Sequence, residues 1–452
     1  TLDSELSYNI RGTGTIGSGS TASPLVLIDG VDGDFNKMNP NDIETISVLK
    51  DAAACAIYGA RASFGVILIT TKSGKSGKPK IELSSSLRYT SALHVPDQMD
   101  SYHFALYYNA AAANAGQAAI FSDETLERIQ QYQAGTIDYG TIASPSNPKY
   151  WIGIVGSNAN TDWYHEVYKD WSPSNEENVS VSGGNDRVDY RVSFGYLHQN
   201  GLLRYGKDKF DRYSLDAKIG IKVVDWFRIK YTSKWERQDY NAPTYLNGLL
   251  FHNISRSFPN YPAYDPNGYM IDGNVNNQLV NGGRKSDQQN FYTQQMAFIF
   301  EPIKDWTINV EGNLVTSYQN THSVILPIYN HDVNGDSYAA SWSGSYAPGY
   351  SSVSDYNYKQ DYFATNIYSN YIKSWGDHNF SFLAGFNAEL KKYKTDSGYG
   401  EDLISSSTPY LSQTQSNFTA GGGTAEYSVA GFFGRINYNY KERYLLELNG
   451  RY

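Results

Sequence analysis

The sequence predicts a membrane all-β fold: about half of a 22-stranded, plugged transmembrane β-barrel, with a small α/β domain ahead of it. Three observations carry this reading. From Ile81 onward, apolar and polar residues alternate with a period of two in one segment after another. Between those segments, short turns and long polar connections take strict turns up to Tyr452. Tyr and Gly reach 40 each while charged residues make up only 18%, a balance that suits aromatic girdles around a polar lumen. Composition alone would serve a soluble all-β carbohydrate binder equally well, so the connections decide.

The first 80 residues read as mixed α/β. Residues 24–30 form a short apolar run ended by a turn, a buried strand. Residues 39–44 look like a helix start, with acids in the first turn. Residues 46–51 run as a strand, 52–59 as a short helix closed by Gly59, and 65–71 as a second buried strand. Residues 72–80, rich in Lys, Gly and Ser, are a polar linker. They divide the chain into residues 1–79 and residues 80–452.

Beyond the linker each segment has one apolar and one wet face. Ile81, Leu83, Leu87 and Tyr89 alternate with Glu82, Ser84, Ser86 and Arg88. Phe227, Ile229, Tyr231 and Trp235 alternate with Arg228, Lys230, Thr232 and Lys234, and the same pattern recurs around 188–196, 306–314, 380–386 and 435–440. Short turns fall at residues 183–186, 223–225, 302–305, 375–378 and 441–442. Long connections fall at 91–176, 199–207, 240–287, 319–359 and 394–423. Short turns on one side and long loops on the other are the habit of transmembrane barrels, whereas sandwiches and propellers spread long loops over both ends. About eleven strands of roughly ten residues result. Eleven is odd, and half of the roughly 22 strands of plugged transporters. Tyr89, Tyr196, Phe227, Tyr231, Phe382 and Tyr438 are expected on the lipid side; Arg88, Arg228, Lys230, Glu311 and Arg435 are expected in the lumen. Residues 100–116 and 122–135 carry helical spacing with Gly stops, so two short helices are expected in the first long connection.

Several functions are disfavoured. A net charge of −9 argues against a nucleic-acid partner, and a single Cys against disulfides or a Cys-based zinc site. No apolar run approaches the ~18 residues of a spanning helix. Residue 1 is Thr and no basic-then-apolar leader follows, so a processed or truncated start is expected.

The residues Leu25–Ile28 with Asp29, Gly30 and Val31, then Asn39 through Glu44, Lys50, Asp51, Tyr58, Gly59 and Arg61, then Gly65 and the strand to Lys72, resemble the plug signature of SusC/RagA-like TonB-dependent transporters. Weaker echoes follow at 178–184 and 438–446. The resemblance implies structural roles in the plug for Asp29, Gly30, Glu44, Lys50, Asp51, Tyr58, Gly59, Arg61 and Gly65. It implies a multi-pass protein of the bacterial outer membrane, surrounded by its lipid, that imports a ligand with energy from the TonB complex. A SusD-like surface lipoprotein would cover the outer mouth, in a dimer of transporter–lipoprotein pairs. Cargo in the family is mostly oligosaccharide, with peptides for some members, and neither enzyme activity nor a cofactor is implied. A leading extension, a TonB box, the first part of the plug and the second barrel half would lie outside this sequence. Cys55 departs from the small Ala or Ser expected there. Siderophore or cobalamin cargo is an alternative within the class; a non-transporting surface glycan binder or adhesin is the alternative outside it, and such a protein has no use for a plug signature.

Other motifs are weaker. Gly12, Gly14 and Gly17 spell GxGxxG, but residues 18–24 continue as loop into a strand, where a dinucleotide site needs a helix. The eight His show no metal-ligand spacing. His331 to Asp336 faintly resembles a calcium loop without its closing Glu. The acid pairs Asp32/Asp34 and Glu401/Asp402 lie in loops with nothing else that points to catalysis. Arg11, Glu44, Lys50, Asp51 and Arg61 are expected to pair with wall residues such as Arg228, Lys230, Glu236 or Glu311. Trp226, Trp306 and Trp375 sit beside short turns, as a periplasmic girdle would. Trp151, Trp163, Trp171 and Trp342, with Tyr346, Tyr350, Tyr356 and Tyr358, lie in long loops. Of these, Trp342, Tyr346 and Tyr350 are candidate substrate contacts, with lid contact or loop packing as competing roles.

Overall fold

The computed structural model describes residues 2, 10, 23–50, 58, 62–271, 275–340 and 347–452. Asp51, Gly59, Arg61, Arg11, the helix expected at 52–59 except Tyr58, the glycine motif at 12–17, Trp342 and Tyr346 lie outside the described residues.

A small inner sheet comes first, with strands β1 Leu25–Ile28, β2 Val31–Asp32, β3 Ile43–Leu49 and β4 Val66–Thr71 in the order β2-β1-β4-β3. Strand β1 lies parallel to β4, Leu25 opposite Val66 and Ile28 opposite Ile69. Both of its faces are covered. Leu25 and Leu27 pack with Ala62 and Val66, while Val26 packs with Met38 and Ile69 on the other side. The turn between β1 and β2 is the two-residue pair Asp29 and Gly30, both at positive φ (51° and 87°). That geometry matches the twist of a tight hairpin, and Gly at the second position carries it without Cβ strain. The helix expected from residue 39 is a single 3₁₀ turn, Pro40–Asp42, capped by the Asn39 side chain. The β-branched residues Ile43, Thr45, Ile46 and Val48 then favour a strand over helix propagation.

The wall is one eleven-stranded antiparallel sheet. It holds β5 Gly77–Thr90, β6 Ser172–Gly184, β7 Val188–Asn200, β8 Lys209–Val224, β9 Phe227–Pro243, β10 Arg284–Ile303 and β11 Trp306–Ile325. After a separate hairpin of β12 Ile328–His331 and β13 Ser337–Ala340, it continues with β14 Ser352–Trp375, β15 His378–Glu401, β16 Ser416–Tyr440 and β17 Tyr444–Arg451. Every strand pairs with its neighbour in sequence, and the short turns fall where the alternation places them. The strands overrun the expected ten residues: β14 and β15 have 24 each and β16 has 25. Their outer halves, such as Asp355 to Asp361, are polar on both faces, so periodicity does not mark them; ladder pairing to their neighbours holds them.

Side-chain parity sorts the two faces. Arg191, Lys218, Lys234, Gln295 and Lys391 touch the inner sheet or lie one step from it, so residues in phase with them face inward. Arg88, Arg228, Lys230, Glu311 and Arg435 share that phase; Tyr89, Tyr196, Phe227, Tyr231, Phe382 and Tyr438 take the other. On the far face Ile221, Ile229, Phe298, Val310, Ile367, Phe386 and Phe432 are in direct register across seven strands. That row is the middle of an apolar belt. Trp226 and Trp375 stand exposed beside its short turns. The sheet must also curve. Between Val31 and Asp42 the inner domain touches strands from β6 to β15, seven spacings of ~4.8 Å or about 34 Å if flat. Asp32 to Asn39 can span only about 25 Å fully extended. The wall therefore wraps the inner sheet.

The long connections are packed rather than loose. Helices α1 Ser101–Asn114 and α2 Asp123–Gln133 occur where the spacing puts them, N-capped by Asp100 and Ser122. With α3 Trp163–Val167, α4 Gly248–Arg256, α5 Val275–Asn281 and the β12–β13 hairpin they build an outer cap. Its core joins Trp163, Val167, Tyr245, Leu250, Ile254, Leu279 and Ile328, drawn from three connections. Trp163 is 1% exposed and its indole N–H donates to the Phe258 carbonyl at 2.9 Å.

Candidate functional site between the inner sheet and the wall

Three carboxylates project from the inner domain onto cations of the wall. The β1–β2 hairpin aims Asp29 at Lys234 (2.6 Å) and Lys218 (3.1 Å). The same carboxylate accepts from the Thr71 backbone N–H at 2.8 Å and the Thr71 hydroxyl at 2.6 Å, which ties the hairpin to β4. At the hairpin's end Asp32 meets Lys391 at 2.6 Å. At the 3₁₀ turn, buried Asp42 meets buried Arg191 at 2.8 Å and accepts from Ser193 at 2.7 Å. Neutral bonds join them: the Asn39 amide donates to Asn178 at 2.7 Å, Lys218 to the Thr71 carbonyl at 3.0 Å and Arg212 to the Met38 carbonyl at 3.5 Å.

Burial pushes the Asp29 carboxyl up, but the Lys234 and Lys218 charges and the bonds from Lys234 and Thr71 outweigh it and bring it down to about 2. A depressed carboxyl stabilises the folded contact fully above its ordinary value of 3.8 and loses that contribution as pH falls through about 2. Protection of β1–β4 amides against hydrogen exchange should therefore stay flat from about pH 8 to about pH 4, and fall only near pH 2–3. Loosening already at about pH 5 would mean that another group sets the contact.

Above the inner domain lies a pocket of about 350 Å³, lined by Lys37, Gln289, Phe291, Gln319, Gln360 and Tyr362 among others. Its walls are amides, hydroxyls and a few rings, with Lys37 5.0 Å from the centre of Phe291.

The ion pairs are not those expected from the sequence. Glu44 meets Lys75 at 3.4 Å within its own domain. Arg228 pairs with Asp189, Glu236 accepts from Gln238, and Glu311 accepts from Tyr368, all inside the wall. Formal charge along the chain does not reveal which acids sit on the hairpin tip and the 3₁₀ turn that reach the wall; the Asp-Gly pair was the available signal for Asp29. Gly30 lies in the same turn, and Gly65 (φ 95°) precedes β4 with its carbonyl accepting from Leu25 at 3.0 Å. The Tyr350 hydroxyl lies 2.7 Å from that of Tyr399 and 3.3 Å from Glu401, inside a network at the outer end of β14 and β15. In the β12–β13 turn Asp332 accepts from the N–H groups of Asn334 and Asp336, a self-satisfied loop. Among the described residues no cluster of His, Cys, Asp and Glu could hold a metal ion.

Residues 3–66 match the TonB-dependent Receptor Plug Domain. Over 98% of its length the chain is 27% identical to TonB-dependent receptor P26 of Formosa agariphila, covering 41% of that protein. It is 25% identical to TonB-dependent receptor SusC of Bacteroides thetaiotaomicron over 98% of this chain and 42% of the relative. Among solved structures, the RagAB peptide importer in its closed-closed state shares the fold with a TM-score of 0.77 at 22% identity, over 98% of this chain and 50% of that one. The chain thus spans about two fifths of the curated relatives it matches.

Proposed function

Because this chain is SusC/RagA-like, with the plug and about half of the barrel of a TonB-dependent receptor, we propose that the complete protein imports a nutrient across the bacterial outer membrane. Residues 1–79 act as the plug and residues 80–452 as wall and cap, with no catalytic step. TonB supplies the pull, and a SusD-like lipoprotein closes the outer mouth. The observation that carries the reading is the seating of the plug. It is held by separate ion pairs and single hydrogen bonds beside water, each weak enough to break in turn, rather than by a continuous apolar core. A surface glycan binder or adhesin has no need of such a removable part.

The pocket chemistry favours an oligosaccharide. Gln289, Gln319 and Gln360 offer paired donors and acceptors to hydroxyls, and Tyr358 and Tyr362 offer ring faces. Peptide is the second reading, because amide side chains also match a peptide backbone and the structural relative named above is a peptide importer. Tyr350 and the loop residues Trp342 and Tyr346 belong, in this reading, to the mouth that meets cargo or lid.

Hydrogen exchange of the complete transporter, with and without its lipoprotein, tests the assignment. Cap residues 91–171 and 244–283 should gain protection, while the turns at 183–186 and 223–225 should not. Equal protection at both ends, or none on the cap, would remove the lid from the reading.

A further inference from the structure

The plug carboxylates occupy a belt of wall cations that needs an anion whenever the plug is away. Arg191 on β7 and Lys218 on β8 are directly opposite partners in the ladder, and both face inward. Like charges so placed repel one another across a sheet. Here two plug carboxylates separate them, Asp42 on Arg191 and Asp29 on Lys218. One step along the strands, Lys234 and Lys391 fall in a single cross-strand row, through Thr293, Val315 and Tyr362. Asp29 and Asp32 sit on those two. Asp216 of the wall stays beside Lys234 at 3.5 Å, so that cation keeps a partner when the plug leaves. Arg191, Lys218 and Lys391 each lose the plug carboxylate that meets them.

Resting on the reading that the plug is displaced during transport, we propose that this belt is a latent anion site. The plug's own Asp29, Asp32 and Asp42 fill it at rest, and carboxylate or sulfate groups of the cargo take their place during passage. Exchange of one anion for another keeps the Arg191–Lys218 repulsion screened throughout. It also gives acidic cargo a footing at the level where the plug had closed the path.

A reporter thiol tests this in the complete transporter. Ser193 is 5% exposed, bonds Asp42 and lies two residues from Arg191 on the same strand. Ser193→Cys in a Cys55→Ser background is nearly isosteric and removes the native thiol. Cells are treated with an anionic or a cationic methanethiosulfonate reagent, with and without energisation of TonB. Labelling should rise on energisation, and the anionic reagent should then react roughly tenfold faster than the cationic one. Adding Lys218→Gln should shrink that preference several-fold while Lys234 still holds Asp29. Energised labelling with no preference for the anion overturns the latent site and leaves plug displacement standing. Labelling that ignores energisation overturns plug displacement itself, and the anion site with it.

Discussion

Asp29→Ala should loosen the plug in its seat by about 3 kcal/mol while leaving the wall strands as stable as before. The substitution does more than delete two ion pairs. It leaves Lys218 and Lys234, both mostly buried, as uncompensated cations facing each other's field, and it frees the Thr71 hydroxyl and N–H. The measurement is hydrogen exchange of the purified complete protein. Amides of β1 and β4 should exchange about a hundredfold faster, as 1.4 kcal/mol is a factor of ten, while those of β7 to β11 are unchanged. Asp29→Ala combined with Lys218→Met and Lys234→Met should recover most of the loss, because removing a whole buried charge group costs far less than orphaning part of it. If the triple variant is no firmer than the single one, the charges are not what seats the hairpin.

Trp163→Ala should open the outer cap without touching the barrel. The indole is fully enclosed among Val167, Leu250, Ile254 and their neighbours from separate connections, so truncation costs about 3–5 kcal/mol. A cap of short helices cannot absorb that, and local unfolding follows. Proteolysis should then cut within residues 91–171 and 244–283, sites that are closed in the parent, and binding of the lipoprotein should be lost. The strands β6 to β11 should keep their exchange protection. A cap that resists protease after this change would mean that its helices stand on local propensity and capping alone.

The elements that were legible in the sequence share a property: their signal is local. Alternation of Phe227, Ile229 and Tyr231 with Arg228 and Lys230 marks β9 because the lipid face and the wet face demand opposite polarity. Asp100 and Ser122 mark helix starts because their side chains cap free N–H groups, and Gly116 and Gly135 (φ 69° and 71°) mark the stops. The run from Pro40 misleads for a local reason too, since one capped turn looks like the start of a longer helix until the β-branched residues take over. The outer halves of β14, β15 and β16 give no such sign. Water bathes both of their faces, so no polarity pattern is required of them.

By itself the sequence determined the order of strands, the side on which turns are short, the face each side chain takes and the apolar belt. Each follows from a repeat of two residues and from the length of a connection. Only the tertiary structure decided that Asp29, Asp32 and Asp42, and not Glu44, meet the wall, and that three separate connections share one core around Trp163. These contacts join residues more than a hundred positions apart. Their partners are chosen by how the wall curves around the inner sheet, and no periodicity along the chain encodes that curvature.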